Sequence, residues 1–506
     1  MADSAIKLIP ATFTRIPSAA APAVELHAVD EFSPGLEAIG FVVAADGDVP
    51  GGLGVAREVL ADAGFEGKAG QTLVLVQASG PTLIAVGAGT QADRTQSGIR
   101  DIAAAFARAA ERYAGIGIDP GATGDIAPVV LGQLVAEGAI LARYRYTELK
   151  RESDVVALGT LELRTPGGDT TAATAGMGTG AILAAAANLA RDLANTPPGH
   201  LTASDLADVA VALGSVHPDL AVEVFDKQRL IELGCGGLLG VNAGSAEEPR
   251  MIQVRYTPSG ESTGSLALVG KGITYDSGGI SLKPSDPMHL LMKMDMAGAG
   301  AVLAAMTALG PLGCTTTVSA FLMCTDNMPS GSATKLGDVL TIRGGTTVEV
   351  KNTDAEGRLV MSDALALATE ESPDAIVDIA TLTGAAVMAL GPSTAALLGN
   401  NQALVDQILT ASRATDESLW QLPLEKRYRK QLDSDVADIS NLGGRFAGAT
   451  TAALFLAEFV GDTPWAHLDI AGTMSVEADE SWRPKGATGY GTRTLIQLAL
   501  NFAPVA

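Results

Sequence analysis

The chain is poor in cysteine. Its 506 residues include only Cys235, Cys314 and Cys324, a sparse and odd count that gives no disulfide framework and fits a reducing compartment. The neighbours of these cysteines are mostly small or apolar, so we expect all three in the core. No histidine accompanies any of them nearby, which argues against a catalytic cysteine.

Segments that would direct the chain to a membrane are also lacking. Met1–Phe13 has no cationic start followed by an apolar stretch and a small-residue cleavage site. No apolar run reaches the roughly 18 residues that span a bilayer. We therefore predict a cytoplasmic protein without a membrane partner.

Positive charge is scarce relative to negative charge. The chain has 34 Lys and Arg against 57 Asp and Glu, and its formal net charge is −23 at pH 7. Such a chain repels nucleic acid on average, so the charge disfavours a DNA-binding role. The length indicates two or three domains with an ample core.

The most informative segment is 352–359, which reads Asn-Thr-Asp-Ala-Glu-Gly-Arg-Leu. In an extended conformation Asp354, Glu356 and Arg358 would point to one side, whereas a helix would scatter them. Two carboxylates on one side repel each other unless a cation lies between them. The pattern therefore favours a divalent metal ion, and the alternative is a solvated polar edge strand.

A glycine-rich segment follows a predicted strand. Residues 266–270 form a short apolar run that reads as a buried strand. We expect residues 271–284 to form a loop at the end of the sheet, where open α/β folds place their sites. This loop would present Lys271, Asp276 and Lys283. A phosphate-binding loop is the alternative, but Gly264 lies six positions before Gly270, which does not match the spacing of such a loop. In addition, Gly272 follows Lys271 where such a loop has Ser or Thr.

A third segment places Asp295 among methionines and small residues, at positions 292–298. An unpaired buried carboxylate is costly, so this aspartate needs a metal ion, a cationic side chain or a helix-capping role. Metal binding and capping stay open as alternatives at this point.

These segments resemble those of the leucyl aminopeptidase family, also called the cytosol aminopeptidases. Residues 352–359 match the family signature, and the other matching segments also occur in the family's order: 271–284, the segment around Asp295, 381–385, 465–472 and 486–489. The resemblance covers about residues 180–506. One departure is Ala297, where the family pattern has glycine; it adds a methyl group and removes no ligand.

The resemblance implies a two-metal metalloaminopeptidase. Asp276 and Glu356 would bridge two divalent ions. Asp354 would hold one of these ions, and Asp295 would hold the other. Lys271 would bind the same ion as Asp295 through a neutral amine, and a plain counter-ion is the alternative. Because the ligands are almost all oxygen atoms, the candidate ions are Mn²⁺ or Zn²⁺, with Mg²⁺ at one site.

The resemblance implies catalytic roles for two further cationic residues. Lys283 would stabilise the developing oxyanion. Arg358 would hold a bicarbonate-like anion that acts as general base, since a planar guanidinium suits a planar oxyanion. An ion pair with a carboxylate of the site is the alternative for Arg358.

The implied substrates are peptides with a free N-terminus, attacked by a water activated between the two metals. Leucine-like first residues would be preferred, because the residues that resemble the family's substrate-binding positions are mostly apolar or small: Met292, Thr381, Leu382, Gly384, Ala471 and Met474. Ordinary core packing is the alternative for the methionines. His467 lies in a predicted strand and is interpreted as a structural histidine.

The fold prediction is an α/β protein with two domains. Residues 1–178 would form a small N-terminal α/β domain for assembly or regulation, 179–196 a connecting helix, and 197–506 a larger catalytic α/β domain with a mostly parallel central sheet. Within the first domain we predict a hairpin-like strand pair at 72–76 and 82–87, and a loop over 165–180. The resemblance also implies a homo-hexamer, a dimer of trimers, with a role in intracellular peptide turnover.

Two other functions compete with this prediction. A non-catalytic structural relative would normally have lost ligands, and none is lost here. A DNA-binding regulator is opposed by the acidic charge.

Overall fold

The chain divides into two compact units. The computed structural model describes residues 9–10, 12–90, 94–121 and 124–505. The first unit contains Pro17–Asn188 together with a later segment, Val476–Gly486. The second unit contains the residues up to Ile16, Leu189–Ser475 and Ala487–Ala506.

The first unit is an α/β domain built on a six-stranded sheet. Its strands are β1 (Glu25–Val29), β2 (Ala38–Val43), β3 (Thr72–Leu75), β4 (Thr82–Gly87), β5 (Gly115–Asp119) and β6 (Thr160–Arg164). In space they follow the order β1-β6-β5-β2-β4-β3. Every neighbouring pair is parallel except β3 with β4, which confirms the predicted antiparallel pair.

The helices of this unit are α1 (Pro17–Ala20), α2 (Arg57–Asp62), α3 (Gln96–Ala109), α4 (Pro128–Arg143) and α5 (Thr170–Asn195), with a short 3₁₀ helix at Gly51–Leu53. The N-terminus of α3 is fixed by Thr95, whose side chain accepts a hydrogen bond from the Gly98 N–H. α5 continues past Asn188, so its last residues belong to the second unit.

The loop predicted over 165–180 is wrong from residue 170 onwards, because α5 begins at Thr170. The predicted connecting helix therefore starts too late. Two glycines of this stretch serve helix packing: a Cβ atom on Gly176 would overlap the carbonyl oxygen of Val129, and one on Gly180 would overlap that of Gln133. Glycine lets α4 and α5 approach this closely, and the same residues read as loop signals in the sequence.

The predicted boundary at residue 197 also misses the segment Val476–Gly486, which lies with the first unit. Asp479 forms ion pairs with Arg108 (3.2 Å) and Arg145 (2.7 Å). Trp482 is buried in a small apolar cluster whose other members all belong to the first unit: Ala104, Leu141, Ala142, Ala184 and Ala187. These contacts, made by residues far apart in the chain, leave no signal in the local sequence.

The second unit contains an eight-stranded sheet and a three-stranded sheet. Their strands are β7 (Leu220–Phe225), β8 (Arg250–Tyr256), β9 (Ser265–Asp276), β10 (Thr317–Asn327), β11 (Val339–Thr341), β12 (Thr347–Glu349), β13 (Ala375–Ala380), β14 (Ala395–Gly399), β15 (Leu419–Gln421), β16 (Ile439–Ser440) and β17 (Trp465–Asp469). Two further short strands, β18 (Ser475–Val476) and β19 (Gly486–Ala487), form a two-stranded sheet. The large sheet has the order β15-β14-β17-β13-β9-β10-β8-β7, and the small one β11-β12-β16. The central strands β17, β13, β9 and β10 are parallel, which confirms the predicted fold class.

The helices of the second unit cover this sheet. They are α6 (Ala203–Val216), α7 (Lys227–Leu233), α8 (Gly236–Asn242), α9 (Pro287–Leu290), α10 (Ala297–Leu309), α11 (Glu356–Glu370), α12 (Gly384–Leu390), α13 (Gln402–Thr415), α14 (Gly448–Ala457) and α15 (Thr492–Leu500), with 3₁₀ helices at Leu291–Met294 and Lys426–Leu432. Both α10 and α11 pack against β9.

β9 continues through the segment predicted as a glycine-rich loop. It ends at Asp276, so Lys271 lies within the strand. A Cβ atom on Gly270 would lie 2.7 Å from the Ala299 Cα atom of α10. The glycine therefore permits a helix to pack closely on the strand, and it marks no turn.

Two helical stretches are long and apolar enough to cross a membrane by length and composition, Thr170–Asn195 and Pro287–Leu309. Within the structure, 56% and 72% of their most apolar windows are buried. Core helices pass the same test, so these stretches are weak evidence for a membrane span.

Candidate active site

A cleft of about 440 Å³ opens in the second unit beside three adjacent parallel strands, β9, β13 and β17. Its lining includes residues at or just beyond the carboxyl ends of these strands, namely Asp276 at the end of β9, Thr381 after β13 and Ala471 after β17. Ligands in open α/β sheets bind at this edge. The cleft is therefore the candidate active site.

A β-bulge in β9 aims two charged side chains into this cleft. Ile273 pairs with Thr325 of β10, and Asp276 pairs with Asn327, so three steps along β9 match two along β10. The extra residue shifts the side-chain alternation by one position. Lys271 and Asp276 therefore both line the cleft although an odd number of positions separates them.

The extended arrangement predicted for residues 352–359 is wrong, because α11 begins at Glu356. Asp354 lies in the turn before this helix, and Glu356 lies in its first turn, where the helix dipole favours a carboxylate. Ligand oxygens of Asp276, Asp354 and Glu356 still lie within 4.8 Å of one another. A turn followed by a helix start, and not strand alternation, brings the two carboxylates together.

Asp295 is buried and has one unpaired oxygen. Its Oδ1 accepts a hydrogen bond from Thr381 Oγ1 (2.7 Å), while its Oδ2 has no hydrogen-bond partner among the described residues. Burial raises the pKa of Asp295 well above its ordinary value. Met296, and not Asp295, is the N-cap of α10, and this cap makes no side-chain hydrogen bond. Helix capping therefore does not explain the carboxylate.

Lys271 joins two of the carboxylates. Its Nζ atom lies 2.8 Å from Asp295 Oδ1 and 2.8 Å from Glu356 Oε1, and it donates to the Thr381 carbonyl oxygen at 2.9 Å. Burial alone would lower the pKa of Lys271, but the two carboxylates outweigh burial and raise it. These partners favour the ammonium form of Lys271.

Lys283 joins the other two carboxylates. Its Nζ atom lies 2.8 Å from Asp276 Oδ2 and 2.6 Å from Asp354 Oδ1. Burial raises the pKa of both aspartates, and the neighbouring carboxylate, Glu356 for Asp276 and Asp276 for Asp354, adds to the rise. These carboxylates thus need cationic partners in order to ionise together.

The donor set fits hard or borderline divalent cations. Four carboxylates converge, and those of Asp276, Asp295 and Glu356 are buried. Among the described residues, Asp295 Oδ2 has no hydrogen-bond partner. Carboxylate oxygens are the ligands that Mn²⁺ and Mg²⁺ prefer, and Zn²⁺ also accepts them. The residues present are therefore compatible with a metal centre.

Arg358 is buried beside this cluster. Its guanidinium donates from one terminal nitrogen to the Asn441 carbonyl oxygen at 3.0 Å, and its Nε has no hydrogen-bond partner among the described residues. Burial lowers the pKa of Arg358 to about 10. No carboxylate of the described chain forms a salt bridge with it, so the ion-pair alternative is not observed.

The residues that resemble the family's substrate-binding positions all line the same cleft: Met292, Thr381, Leu382, Gly384, Ala471 and Met474. Asp469 orders one side of it by accepting hydrogen bonds from Leu382 N (3.1 Å), Thr383 N (3.3 Å) and Thr383 Oγ1 (2.7 Å). The structure thus brings every predicted site residue to one place, while the individual roles remain predictions.

The sequence analysis does not identify Asn327, which links the end of β9 to the turn that carries Asp354. Its side-chain nitrogen donates to Asp276 Oδ1 (2.8 Å) and to the Thr353 carbonyl oxygen (2.9 Å). The asparagine closes a buried strand, and a polar residue at the end of such a strand was the only signal that could have found it.

His467 is placed as predicted, in a strand and outside the cleft lining. Its Nδ1 lies 2.5 Å from Asp378 Oδ1, and Asp378 Oδ2 accepts from Trp465 Nε1 at 2.7 Å. Burial would lower the pKa of His467, but Asp378 outweighs burial and raises it. No metal-ligand role is indicated for this histidine.

The departure at Ala297 is sterically mild. Its side chain is half-buried at the first position of α10. At the following residue, Gly298, a Cβ atom would overlap the carbonyl oxygen of Ile379. The glycine that the packing requires is therefore the one that the chain retains.

Two family models match this chain. The model of the cytosol aminopeptidase family, catalytic domain, matches residues 188–496, and that of the family's N-terminal domain matches residues 52–153. The chain belongs to the cytosol aminopeptidase family. It is a metal-dependent aminopeptidase, a hydrolase whose substrates are peptides.

Three similar proteins illustrate the extent of the likeness. A probable cytosol aminopeptidase from Chlorobaculum tepidum is 43% identical over 473 residues, which cover 89% of this chain and 93% of the relative. The bottromycin maturation enzyme BotP in complex with Mn has a TM-score of 0.84 and 38% identity, covering 92% of this chain and 98% of that chain. A mutant of tomato leucine aminopeptidase has a TM-score of 0.85 and 31% identity, covering 95% and 97%.

Proposed function

We propose that this aminopeptidase is a two-metal enzyme that removes leucine-like residues from the N-termini of peptides. The observation that carries the proposal is the convergence of four carboxylates and two lysines in one cleft. Four carboxylates exceed the needs of one ion and suit a shared pair. Each lysine contacts a different pair of these carboxylates: Lys271 contacts Asp295 and Glu356, and Lys283 contacts Asp276 and Asp354.

Asp276 and Glu356 would be shared by the two ions, with Asp354 completing one site and Asp295 the other. When bound, the ions supply a Lewis acid for the scissile carbonyl and lower the pKa of the attacking water. Mn²⁺ or Zn²⁺ is proposed, with Mg²⁺ as the alternative ion at one site. The manganese complex of the similar BotP supports Mn²⁺. Asp295 Oδ2, buried and unpaired, supplies an oxygen that a cation would satisfy.

Lys271 would complete the site that contains Asp295. With carboxylate partners alone it is an ammonium group, because Asp295 and Glu356 raise its pKa. Nearby dications act in the opposite direction and can deprotonate an amine. Lys271 would therefore change from counter-ion to neutral ligand as the site is loaded.

Lys283 would stabilise the oxyanion that forms when water adds to the scissile carbonyl. Its side chain is 20% exposed, whereas that of Lys271 is 3% exposed, so Lys283 is the lysine that a substrate can reach. A preorganised cation at this position stabilises the transition state more than the ground state, because the negative charge develops during the reaction.

Arg358 would hold a bicarbonate-like anion that accepts the proton of the attacking water. Its guanidinium keeps an unpaired Nε, faces no salt-bridge partner in the described chain and contributes to the lining of the cleft. A buried guanidinium without a carboxylate partner favours an anionic ligand. A planar, bidentate anion suits it best.

The cleft explains why the enzyme would be an exopeptidase. The substrate's free α-amine would face the carboxylate cluster, so that a blocked N-terminus would not fit. The side chain of the first residue would contact Met292 and Met474, which favour leucine or methionine over charged residues. Hydrolysis of Leu-, Met-, Arg- and Asp-anilides measures this preference, and a strong Arg or Asp preference would refute it.

Several broader features belong to the same proposal. We propose a cytoplasmic role in peptide turnover and a homo-hexamer arranged as a dimer of trimers. The unit built on Pro17–Asn188 would serve assembly or regulation, and the unit that contains the cleft would carry catalysis. Light scattering that finds a stable monomer would contradict the hexamer.

The decisive experiment follows p-nitroaniline release from leucine p-nitroanilide by chelator-treated protein, before and after addition of Mn²⁺, Zn²⁺ or Mg²⁺. The proposal expects activity only after metal addition and none with the N-acetylated substrate. Equal activity on the acetylated substrate would refute the exopeptidase mechanism. Inactivity with every metal and every N-terminal residue would favour a non-catalytic role.

A further inference from the structure

The turn that carries Asp354 is closed by a second buried asparagine, Asn441, whose residue is 0% exposed. Two parallel strands lead to this point: β12 pairs with β16, with Glu349 opposite Ser440. The Asn441 N–H donates to the Glu349 carbonyl oxygen at 3.0 Å, as a further rung of the ladder would. Beyond this rung the chain after β12 turns towards Asp354.

Beyond this rung, the side chain of Asn441 forms the hydrogen bonds that a neighbouring strand would otherwise form. Its Oδ1 accepts from Lys351 N (2.8 Å) and Asn352 N (3.3 Å). Its Nδ2 donates to the carbonyl oxygens of Asn352 (2.7 Å) and Ala355 (3.3 Å). A carboxamide offers the same donor and acceptor as a peptide unit, so it can replace a strand neighbour where the backbone turns. Only an amide satisfies both kinds of partner here.

The backbone of the same residue supports the catalytic arginine. The carbonyl oxygen of Asn441 accepts from Arg358 at 3.0 Å, and this is the one hydrogen bond that the described chain makes with the guanidinium. Asn441 does not line the cleft. It therefore acts on the site only through the residues that it holds.

We propose that Asn441 is a positioning residue that sets the turn bearing Asp354 and Glu356, together with Arg358, in the geometry needed for metal binding and turnover. The proposal rests on the proposed two-metal function. Replacement of a residue that orients metal ligands through hydrogen bonds, without binding the metal itself, typically lowers metal affinity or activity by about 10- to 100-fold. Asn441 makes all its side-chain hydrogen bonds to the backbone of the ligand-bearing turn, so its loss would act on several ligands at once.

Asn441→Asp is the most informative replacement, because it keeps the shape of the side chain and its acceptor while removing the donor. The second carboxylate oxygen would face the carbonyl oxygens of Asn352 and Ala355, and the turn would open. Asn242→Asp is a matched control. Asn242 is also buried and donates to the Glu247 carbonyl oxygen (2.8 Å) and to Thr325 Oγ1 (3.0 Å), but it holds no proposed ligand segment.

The test titrates Mn²⁺ into metal-free full-length wild type, Asn441→Asp and Asn242→Asp by calorimetry, and measures kcat and KM of the loaded proteins on leucine p-nitroanilide. We expect Asn441→Asp to bind Mn²⁺ about 10- to 100-fold more weakly and to lose kcat by a similar factor, with KM changed much less. The control should keep the Mn²⁺ affinity and kcat of wild type. Circular dichroism spectra identify the variants that are folded, and only these variants are compared.

Unchanged Mn²⁺ affinity and kcat in folded Asn441→Asp would overturn the proposal, and so would equal losses in both variants. If Asn441→Asp does not accumulate as folded protein, Asn441→Ser, which keeps a hydroxyl acceptor without the charge, is measured in its place with the same expected losses. Wild type that binds no Mn²⁺ would instead contradict the proposed two-metal function itself. The wild-type titration therefore separates the two failures.

Discussion

Lys283 Nζ lies 2.6 Å from Asp354 Oδ1 and so forms an ion pair with a carboxylate that we propose as a metal ligand. A second carboxylate, Asp276, lies 2.8 Å from the same nitrogen. The lysine is therefore held at the cluster, while its side chain keeps 20% of its surface exposed to the cleft. This combination of fixed position and access is what an oxyanion-stabilising group requires.

Lys283→Ala should lower kcat by about 100- to 1,000-fold, because one preorganised donor to an oxyanion contributes roughly 3 kcal/mol. Metal content should stay at the wild-type level, since the carboxylates remain. Steady-state kinetics together with elemental analysis of metal measures both quantities. Lys283→Arg serves as the charge-preserving control and should recover part of the activity. Near-wild-type turnover in Lys283→Ala would refute the assigned role.

Arg358→Ala should retain metal but lose turnover, because the bicarbonate-like anion would lose its guanidinium. Wild-type activity should fall in bicarbonate-depleted buffer and return on addition of bicarbonate, whereas Arg358→Ala should not respond. Arg358→Lys keeps the charge without the planar fork and should bind the anion more weakly. Activity of wild type that is independent of bicarbonate would contradict the anion role.

The close approach of α4 and α5 predicts opposite effects for two alanine substitutions in one helix. Gly176→Ala should destabilise the protein by about 1–3 kcal/mol, because its Cβ atom would overlap the Val129 carbonyl oxygen. Gly178→Ala should stabilise it by about 1 kcal/mol, since nothing lies within 4 Å of the added methyl group and alanine is the better helix former. Urea unfolding midpoints measure both changes. Equal effects would show that the helices do not pack this closely.

Asp363 predicts a pH dependence of stability. Its carboxylate is buried and accepts from Leu238 N (2.8 Å) and Arg343 N (2.9 Å), and burial raises its pKa from 3.8 to about 7. Between these values the folded state binds more protons than the unfolded state, so the contribution of this group to the free energy of unfolding falls as the pH rises. The slope is at most about 1.4 kcal/mol per pH unit.

Asp363→Asn should remove this contribution. The variant is expected to be less stable than wild type at low pH, but the difference should shrink between about pH 4 and pH 7. Urea unfolding of both proteins across this range measures the difference. A constant difference would mean that the carboxylate of Asp363 does not titrate as its burial requires.

The sequence predicted most of the site because its charged residues stand in recognisable segments. The segments that carry Asp276, Asp354 and Glu356 predict them as site residues, and their oxygens converge in the structure. The local conformation was wrong: spacing i, i+2 suggested a strand, but Glu356 begins a helix. A turn and a helix start can aim alternate residues at one point, and spacing alone does not distinguish this from a strand.

Glycines misled the prediction in both units for one physical reason. Gly176 and Gly272 look like loop residues in the sequence, yet they lie in a helix and in a strand where another backbone passes close by. Asn441 could not be predicted as important, because a single asparagine in a polar stretch carries no pattern. Its role depends on the parallel pairing of two short strands that are distant in the chain.

The most direct test of the two-metal account counts the Mn²⁺ ions bound per chain by calorimetric titration, for wild type and for Asp295→Asn. The account predicts two ions for wild type and one for the variant, which keeps the side-chain shape at Asp295 but loses its charge. One ion in wild type, or no difference between the two proteins, would contradict the account.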